Sequence, residues 1–509
     1  MLFPPKLQYA WARQGRGLAC AAAAVALAGC AVGPDYVRPA MHIPAAYKEA
    51  GPWKSASPSH IDGHSDWWTA YGDPTLDRLI TQADTANQNI QQAQAQYRQA
   101  QAAAAAARAS FWPTLGAGVG AERAQTNTNG LKLGNTYSVG LTAGWEPDLW
   151  GGIRRSVQAG EAASQASAAD LAAARLSIQA TVAQDYIQLR VTDLQLDLYT
   201  RTLAAYRRAL QLTQSQYASG VALRSDVALA QNQLSSTQAQ AIDLQAQRSQ
   251  LEHALAILVG KAPADFSLPA LSGPPGGTLD LPIRLPETPT GVPSQLLERR
   301  PDIAGAERRA AAANANIGVA RAAYFPALML SASGGYSSGS FVQWFDVPGR
   351  VWALGAALAQ TLFDGGLRKA HSDEAIAAYD AAVAQYKQTV LGGFQEVEDN
   401  LATLRVLRDE ALAQKQAVDS AQLAERLALA QYRAGTSVYL NVITAQTLAL
   451  SAERSLVQLR GRQLVASVAL VKAVGGGWNA AQIEPPRAAE NSAADAKNAQ
   501  NPENPSKAS

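Results

Sequence analysis
The sequence predicts a mixed α and β membrane protein built from two copies of one large unit. Each copy is a pair of strands followed by a very long helical hairpin. Three observations carry this reading. The stretch 367–432 has no proline and only two glycines, Gly392 and Gly393. At roughly 1.5 Å per residue a continuous helix there is about 100 Å long, where ordinary globular helices have about 11–12 residues. The stretch 153–217 is almost as long, again proline-free, with the single glycine Gly160. Landmarks also recur in register. RASFWPTL from Arg108 and RAAYFPAL from Arg321 are 213 apart, Gly-Gly-x-Arg at Gly151 and Gly365 are 214 apart, and Gln216-Tyr217 and Gln431-Tyr432 are 215 apart. So long a period is duplication of a whole structural unit, not a short solenoid repeat.

The N-terminal segment, residues 1–29, reads as a signal peptide. Lys6, Arg13 and Arg16 precede an apolar, alanine-rich run over 18–28. That run is too short to stay in a bilayer as a spanning helix. It ends in Leu27-Ala28-Gly29-Cys30, which resembles a bacterial lipobox. Small residues there suit a peptidase groove, and the Cys30 thiol takes a thioether-linked lipid. Ala31, in place of aspartate, points to the outer membrane. An acyl group on Cys30 would tether the mature chain without spanning anything. Removing the leader leaves 40 basic against 41 acidic residues. Near-neutrality gives no support for nucleic-acid binding. Two cysteines, one of them in the leader, make no disulfide framework. His60 and His64 have i, i+4 spacing but sit in a Gly/Ser/Pro-rich segment, so no metal site and no cofactor are expected.

Residues 30–73 read as an extended, proline- and aromatic-rich segment. The first repeat spans 74–262. Asp73-Pro74 is a helix start with proline at the first helical position, and the helix is expected to run to about Ser110. Two strands then occupy about 112–149. The second of them alternates Tyr137, Val139, Leu141, Ala143 and Trp145 with serine, glycine and threonine. The second repeat, 294–477, places strands at about 326–363, where Trp352, Leu354, Ala356 and Leu358 alternate in the same way. Apolar-out, small-or-polar-in alternation over such lengths is the signature of tilted membrane strands. Trp112, Trp145, Trp150, Trp344 and Trp352 lie in or beside these strands, as interfacial aromatics do.

Both hairpins carry a 3-4 heptad seam on the returning helix. It comprises Leu234, Thr237, Ala241, Leu244, Arg248, Leu251, Leu255 and Leu258, and, 215 residues later, Ala449, Ala452, Leu456, Leu459, Gln463, Ala466, Leu470 and Ala473. A Pro/Gly-rich linker, 263–293, joins the repeats, and a tail, 478–509, reads as disordered. Two motifs mislead. Gly335-Tyr336-Ser337-Ser338-Gly339 matches a nucleophile elbow, but no helix is expected to follow it. Gly116, Gly118 and Gly120 resemble a nucleotide fingerprint but fit better as small residues on one strand face. The chain is not expected to be an enzyme.

Four strands per chain cannot close a barrel, which needs at least about eight, and an open edge in lipid is not tolerated. The chain must therefore oligomerise. A dimer would supply eight strands and a trimer twelve. The sequence resembles the TolC-like outer-membrane efflux factors, in particular their lipoprotein (NodT/OprM-like) branch. The resemblance rests on the Cys30 lipobox with GPDYVRP (33–39), on DWW…DPTLDRL (66–79), on LLERRPDIAGAERRAAAANANIGVARAAYFP (296–326), on LFDGG (362–366) and on the paired tip motifs. It implies a homotrimer with a twelve-stranded transmembrane β-barrel continuous with a long periplasmic α-helical barrel. It also implies passive export of drugs or other toxic solutes, with a periplasmic adaptor protein and an inner-membrane transporter as partners.

Each long hairpin turns at a glycine, Gly220 and Gly435. The resemblance implies a constriction near these tips formed by acidic residues. The polar groups within about two turns of the glycines are Tyr217, Arg224, Asp226, Tyr432 and Asn441, and these are the channel-gate candidates. In the second copy Asn441 and Thr444 stand where an acidic ring is implied. Asp226 reads equally as a helix-start cap. Two other classes compete. A trimeric autotransporter adhesin carries contiguous C-terminal strands and no lipobox, and a periplasmic coiled-coil scaffold lipoprotein lacks the alternating strands.

Overall fold
The computed structural model describes residues 32–50, 66–126, 132–271, 281–286 and 296–480. The leader, Cys30, the His60/His64 pair, much of the inter-repeat linker and nearly all of the tail lie outside them. The elements are α1 (Pro74–Ala86), α2 (Gln88–Ala109), β1 (Thr114–Thr126), β2 (Lys132–Trp145), α3 (Gly152–Ala218), α4 (Arg224–Leu258), α5 (Pro301–Ala322), β3 (Ala327–Ser338), β4 (Arg350–Ala359), α6 (Leu367–Arg433) and α7 (Tyr439–Ala473). The paired long helices match in length: α3 and α6 have 67 residues each, α4 and α7 have 35 each. No described helix is long and apolar enough to cross a membrane.

Helix starts follow the sequence signals. Asp73 accepts from the Thr75 amide at 2.8 Å with Pro74 at the first helical position. Asp148 accepts from the Ile153 and Arg154 amides at the start of α3 (2.9 Å each), and Asp364 accepts from Gly366 at 3.0 Å before α6. Two expectations change. The helix expected to run unbroken to about Ser110 is two helices, interrupted at Asn87, whose backbone is extended (φ −68°, ψ 127°). Its side-chain oxygen accepts from the Asn89 and Ile90 amides (2.9 and 3.2 Å), and its amide donates to the Leu258 carbonyl at 2.8 Å. Asparagine competes with helix interiors through such local bonds, so a strong N-cap replaced a turn of helix. Trp67–Tyr71, expected to be extended, forms a short 3-10 helix closed by Gly72 at φ 69°.

The chain divides into two compact units. Of the described residues, the first holds 32–40, 96–126, 132–167 and 305–387, which include the four strands. They form one antiparallel sheet in the order β1-β2-β3-β4. The register aligns the alternation across strands: Ala117 pairs with Leu141, Leu141 with Gly334, and Gly334 with Trp352. One face thus collects Leu115, Val119, Val139, Leu141, Leu354 and Leu358, and the other collects glycine, serine and threonine. Much of the apolar face is uncovered among the described residues, with Leu115 and Leu354 79% and 75% exposed, while Tyr137 and Tyr336 at one end pack on Phe341 and Phe345. The Gly-x-Ser-x-Gly motif lies on β3 and leads to β4 rather than to a helix, so it is no nucleophile elbow. The GPDYVRP segment is strapped to helices α3 and α5. Buried Arg155 donates to the Val32 and Gly33 carbonyls and pairs with Asp35 at 2.8 Å. Asn314 donates to Pro34 O (3.0 Å), and Tyr36 donates to Glu307 at 2.6 Å.

The second unit holds, of the described residues, 41–50, 66–95, 168–271, 281–286, 296–304 and 388–480. Its core packs Tyr71, Leu76 and Ile80 against Tyr186 and Ile187 of α3, Leu255 of α4 and Val468 of α7. Tyr186 donates to Asp73 at 2.6 Å, and burial pushes its phenol up to about 12. The described part of the linker is pinned. Asp193, fully buried, accepts from Arg190 (2.9 Å), Arg248 (2.7 Å) and the Leu271 amide (3.1 Å). Arg248 also donates to Leu268 O, and Arg190 to Pro269 O. On the heptad seam Thr237, Leu244 and Leu255 are buried, as are Ala449, Leu459, Ala466, Leu470 and Ala473 in the second copy.

Candidate functional site
The channel-gate candidates read from the sequence lie at or near the turns joining α3 to α4 and α6 to α7. The two are built alike. Gly220 (φ 78°) and Gly435 (φ 72°) are left-handed. The Gly220 amide bonds Tyr217 O at 2.9 Å and the Val221 amide bonds Gln216 O at 2.8 Å. The Gly435 amide bonds Tyr432 O and the Thr436 amide bonds Gln431 O, both at 3.0 Å. This pair of bonds satisfies the last carbonyls of each long helix, and glycine takes the left-handed position at no steric cost.

The returning helices begin at Leu223 and Val438, neither of which offers a side-chain cap. Asp226 is the third residue of α4 and accepts from the Leu223 amide at 3.1 Å. Asn441, third in α7, donates instead to Ser437 Oγ at 3.0 Å. The two thus occupy the same helical position with different bonds. Tyr217 is 48% exposed and Arg224 is exposed. Tyr432 is not. Its ring packs on Tyr439 at 5.0 Å with Leu210, Ala230 and Val442, and its hydroxyl lies 3.4 Å from Thr213 Oγ1. Burial pushes the Tyr439 phenol up to about 12. Of the five gate candidates, then, Tyr217, Arg224, Asp226 and Asn441 sit at or near the surface of the tips, and Tyr432 fills the hairpin interior. Sequence reading passed over Tyr439, although the 215-residue offset aligns it with Arg224. Cys30 lies outside the described residues.

The sheet is the other functional feature. At its Gly/Ser face Gly140 and Gly335 are partners in register. A Cβ on Gly335 would come within 2.1 Å of Val139 O, so β2 and β3 approach closely only because that side chain is absent.

The sequence profile described as outer membrane efflux protein matches residues 79–261 and 292–476. The chain belongs to the outer membrane efflux protein family. It is 32% identical over 476 residues to the toluene efflux pump outer membrane protein TtgF of Pseudomonas putida, covering 91% of this chain and 97% of TtgF. It is 32% identical over 470 residues to the outer membrane protein OprJ of Pseudomonas aeruginosa, covering 91% and 96% respectively. Its fold superposes on the outer-membrane channel OprN with a TM-score of 0.82 and 31% identity, covering 88% of this chain and all of that one. This family member is the outer-membrane channel component of an efflux system.

Proposed function
We propose that three copies assemble into a twelve-stranded outer-membrane β-barrel and a periplasmic helical barrel. We further propose that the assembly passively conducts drugs or other toxic solutes handed on by a periplasmic adaptor and an inner-membrane transporter. The observation that carries this is the sheet: among the described residues its two edge strands pair with no further strand and Leu115, Leu141 and Leu354 on its apolar face stay exposed, and in lipid only closure removes such edges. No catalytic group is needed. Duplication of one ancestral unit accounts for the equal 67- and 35-residue helices in the two halves. Acylated Cys30 supplies the lipid anchor, and the Cys30→Ser variant is expected to lose palmitate label in cells; label that persists on it rules out the lipobox.

The gate is proposed at the tips. Asp226 and Asn441 hold the ends of the returning helices, and polar contacts of about 0.5–1.5 kcal/mol each suffice to bias a closed state. The Asp226→Ala/Asn441→Ala double variant is expected to conduct more in planar bilayers and to sensitise cells to large antibiotics such as vancomycin. Wild-type conductance from a trimeric double variant leaves Asp226 as a helix cap alone. Protein that extracts as a conducting monomer overturns the assembly.

A further inference from the structure
The connection between β3 and β4, residues 339–349, has the wrong chemistry for a loop in water. Its only charged residue is Asp346. Phe341, Val342, Phe345 and Val347 are all exposed, Val342 at 92%. The loop is nevertheless folded. The Asp346 amide bonds Gln343 O at 3.3 Å, the Gly349 amide bonds Asp346 O at 2.9 Å, and Val347–Gly349 forms a 3-10 turn. A single exposed apolar side chain is ordinary, but a cluster of them in one short loop marks a surface that meets something other than water. The strands join their flanking helices at the opposite end of the sheet, so this loop stands at the end away from the helices.

The aromatic rings show where the loop lies. Phe341 packs edge-on to Tyr137 of β2 at 5.6 Å, and Phe345 packs on Tyr336 of β3 at 5.8 Å. Tyr336 is the register partner of Val139, two residues from Tyr137, so both tyrosines stand on the face that carries Leu141 and Leu354. Ser138, Gly140 and Thr142 point to the opposite face, so the loop does not reach toward a lumen on that side. A second copy would join at the edge strands, β1 and β4, whereas the loop leans on the two inner strands. What remains is the medium that the apolar face itself meets. Arg350 pairs with Tyr336 and is exposed at the same level. Aromatic rings beside a cation that can extend toward phosphates suit the boundary between lipid headgroups and acyl chains.

We propose that the 339–349 loop docks on the outer leaflet of the membrane, with Phe341, Val342 and Phe345 entering the lipid at the boundary of headgroups and acyl chains. The inference rests on the β-barrel reading above and names what the outer rim of that barrel touches. Removing these side chains from water stabilises the docked loop in proportion to the apolar area covered. The contacts to Tyr137 and Tyr336 hold the loop against the lipid-facing side, so the loop fixes how deep the rim sits.

The test uses full-length protein reconstituted in phosphatidylcholine vesicles, with an environment-sensitive fluorophore on Val342→Cys. A second labelled variant, Leu354→Cys, reports on the sheet itself, four residues along β4 from Arg350 and about 14 Å deeper. Unsubstituted protein carried through the labelling sets the background from Cys30. The Val342→Cys label is expected to emit to the blue of its position in water and to be quenched more by lipid brominated near the headgroup than by lipid brominated near the chain ends. Adding Phe341→Ser and Phe345→Ser is expected to remove most of that quenching while the Leu354→Cys label keeps its own. A quenched Leu354→Cys label beside an unquenched Val342→Cys label overturns the docking and leaves the barrel standing; blue emission without quenching then assigns the loop to a neighbouring copy. If neither label is quenched, the barrel reading falls and the docking with it. Quenching at Val342→Cys that survives loss of both phenylalanines also overturns the proposal.

Discussion
Replacing Gly335 by valine is expected to abolish assembly in the outer membrane, whereas the same change at the adjacent Gly334 is expected to be tolerated. The two glycines are neighbours on β3 and point to opposite faces of the sheet. A Cβ at Gly334 meets nothing within 4 Å. Its register partners are Leu141 and Trp352, so a valine there only adds to the apolar face. At Gly335 a Cβ would lie 2.1 Å from Val139 O and 2.6 Å from Gly140 Cα. These are backbone atoms and cannot swing aside as a side chain would. Overpacking costs about 1–3 kcal/mol when the surroundings can yield, and here relief means parting β2 from β3, the pairing that joins the two strand hairpins. The expected cost of Gly335→Val is at least about 3 kcal/mol, against about 0.5 kcal/mol or less for Gly334→Val. Quantifying unheated oligomer in outer-membrane fractions checks this. Equal oligomer from the two variants shows that the strands separate more easily than their register indicates.

The second large effect is expected at Asp193. Removing its carboxylate with Asp193→Ala leaves buried Arg190 without its anion beside half-buried Arg248, whose remaining anion is Glu252, and it strips the Leu271 amide of its acceptor. Breaking such a buried network from one side costs about 3–5 kcal/mol, far more than the net worth of an intact pair. A contrast lies at Arg108–Glu161, where the side chains are 59% and 25% exposed. Arg108→Ala is expected to cost less than about 1 kcal/mol. Denaturant midpoints rank the two variants. Hydrogen exchange at the Leu271 amide separates loss of the network from general destabilisation, because that amide is expected to lose protection even where α3 remains protected. Retained protection there shows that the strap holds without its anion.

Several elements could be read from the chain itself, for local reasons. The hairpin turns are legible because only glycine accepts φ near +75° without strain, and both turns carry one. The start of α1 is legible because an aspartate followed by proline satisfies free amides at a helix end. The alternation on β2 and β4 is legible because side chains on a strand alternate faces with period two.

Other features needed the folded chain. The break at Asn87 is set partly by the Leu258 carbonyl, 171 residues away, which no local pattern reports. The position of Tyr432 looked like that of any tyrosine near a tip, and only the packing of Tyr439 and Thr213 shows that it points inward. The linker shows only a richness in proline and glycine in the sequence, yet Leu268 is buried and the segment is bonded by Asp193, Arg190 and Arg248. By itself, then, the sequence determined the kinds of element, their order and their turns, because propensity, capping and periodicity act over a few residues. The tertiary structure alone decided the strand register, which tip residues are buried and which charges share a site, because those depend on contacts between residues tens to hundreds of positions apart.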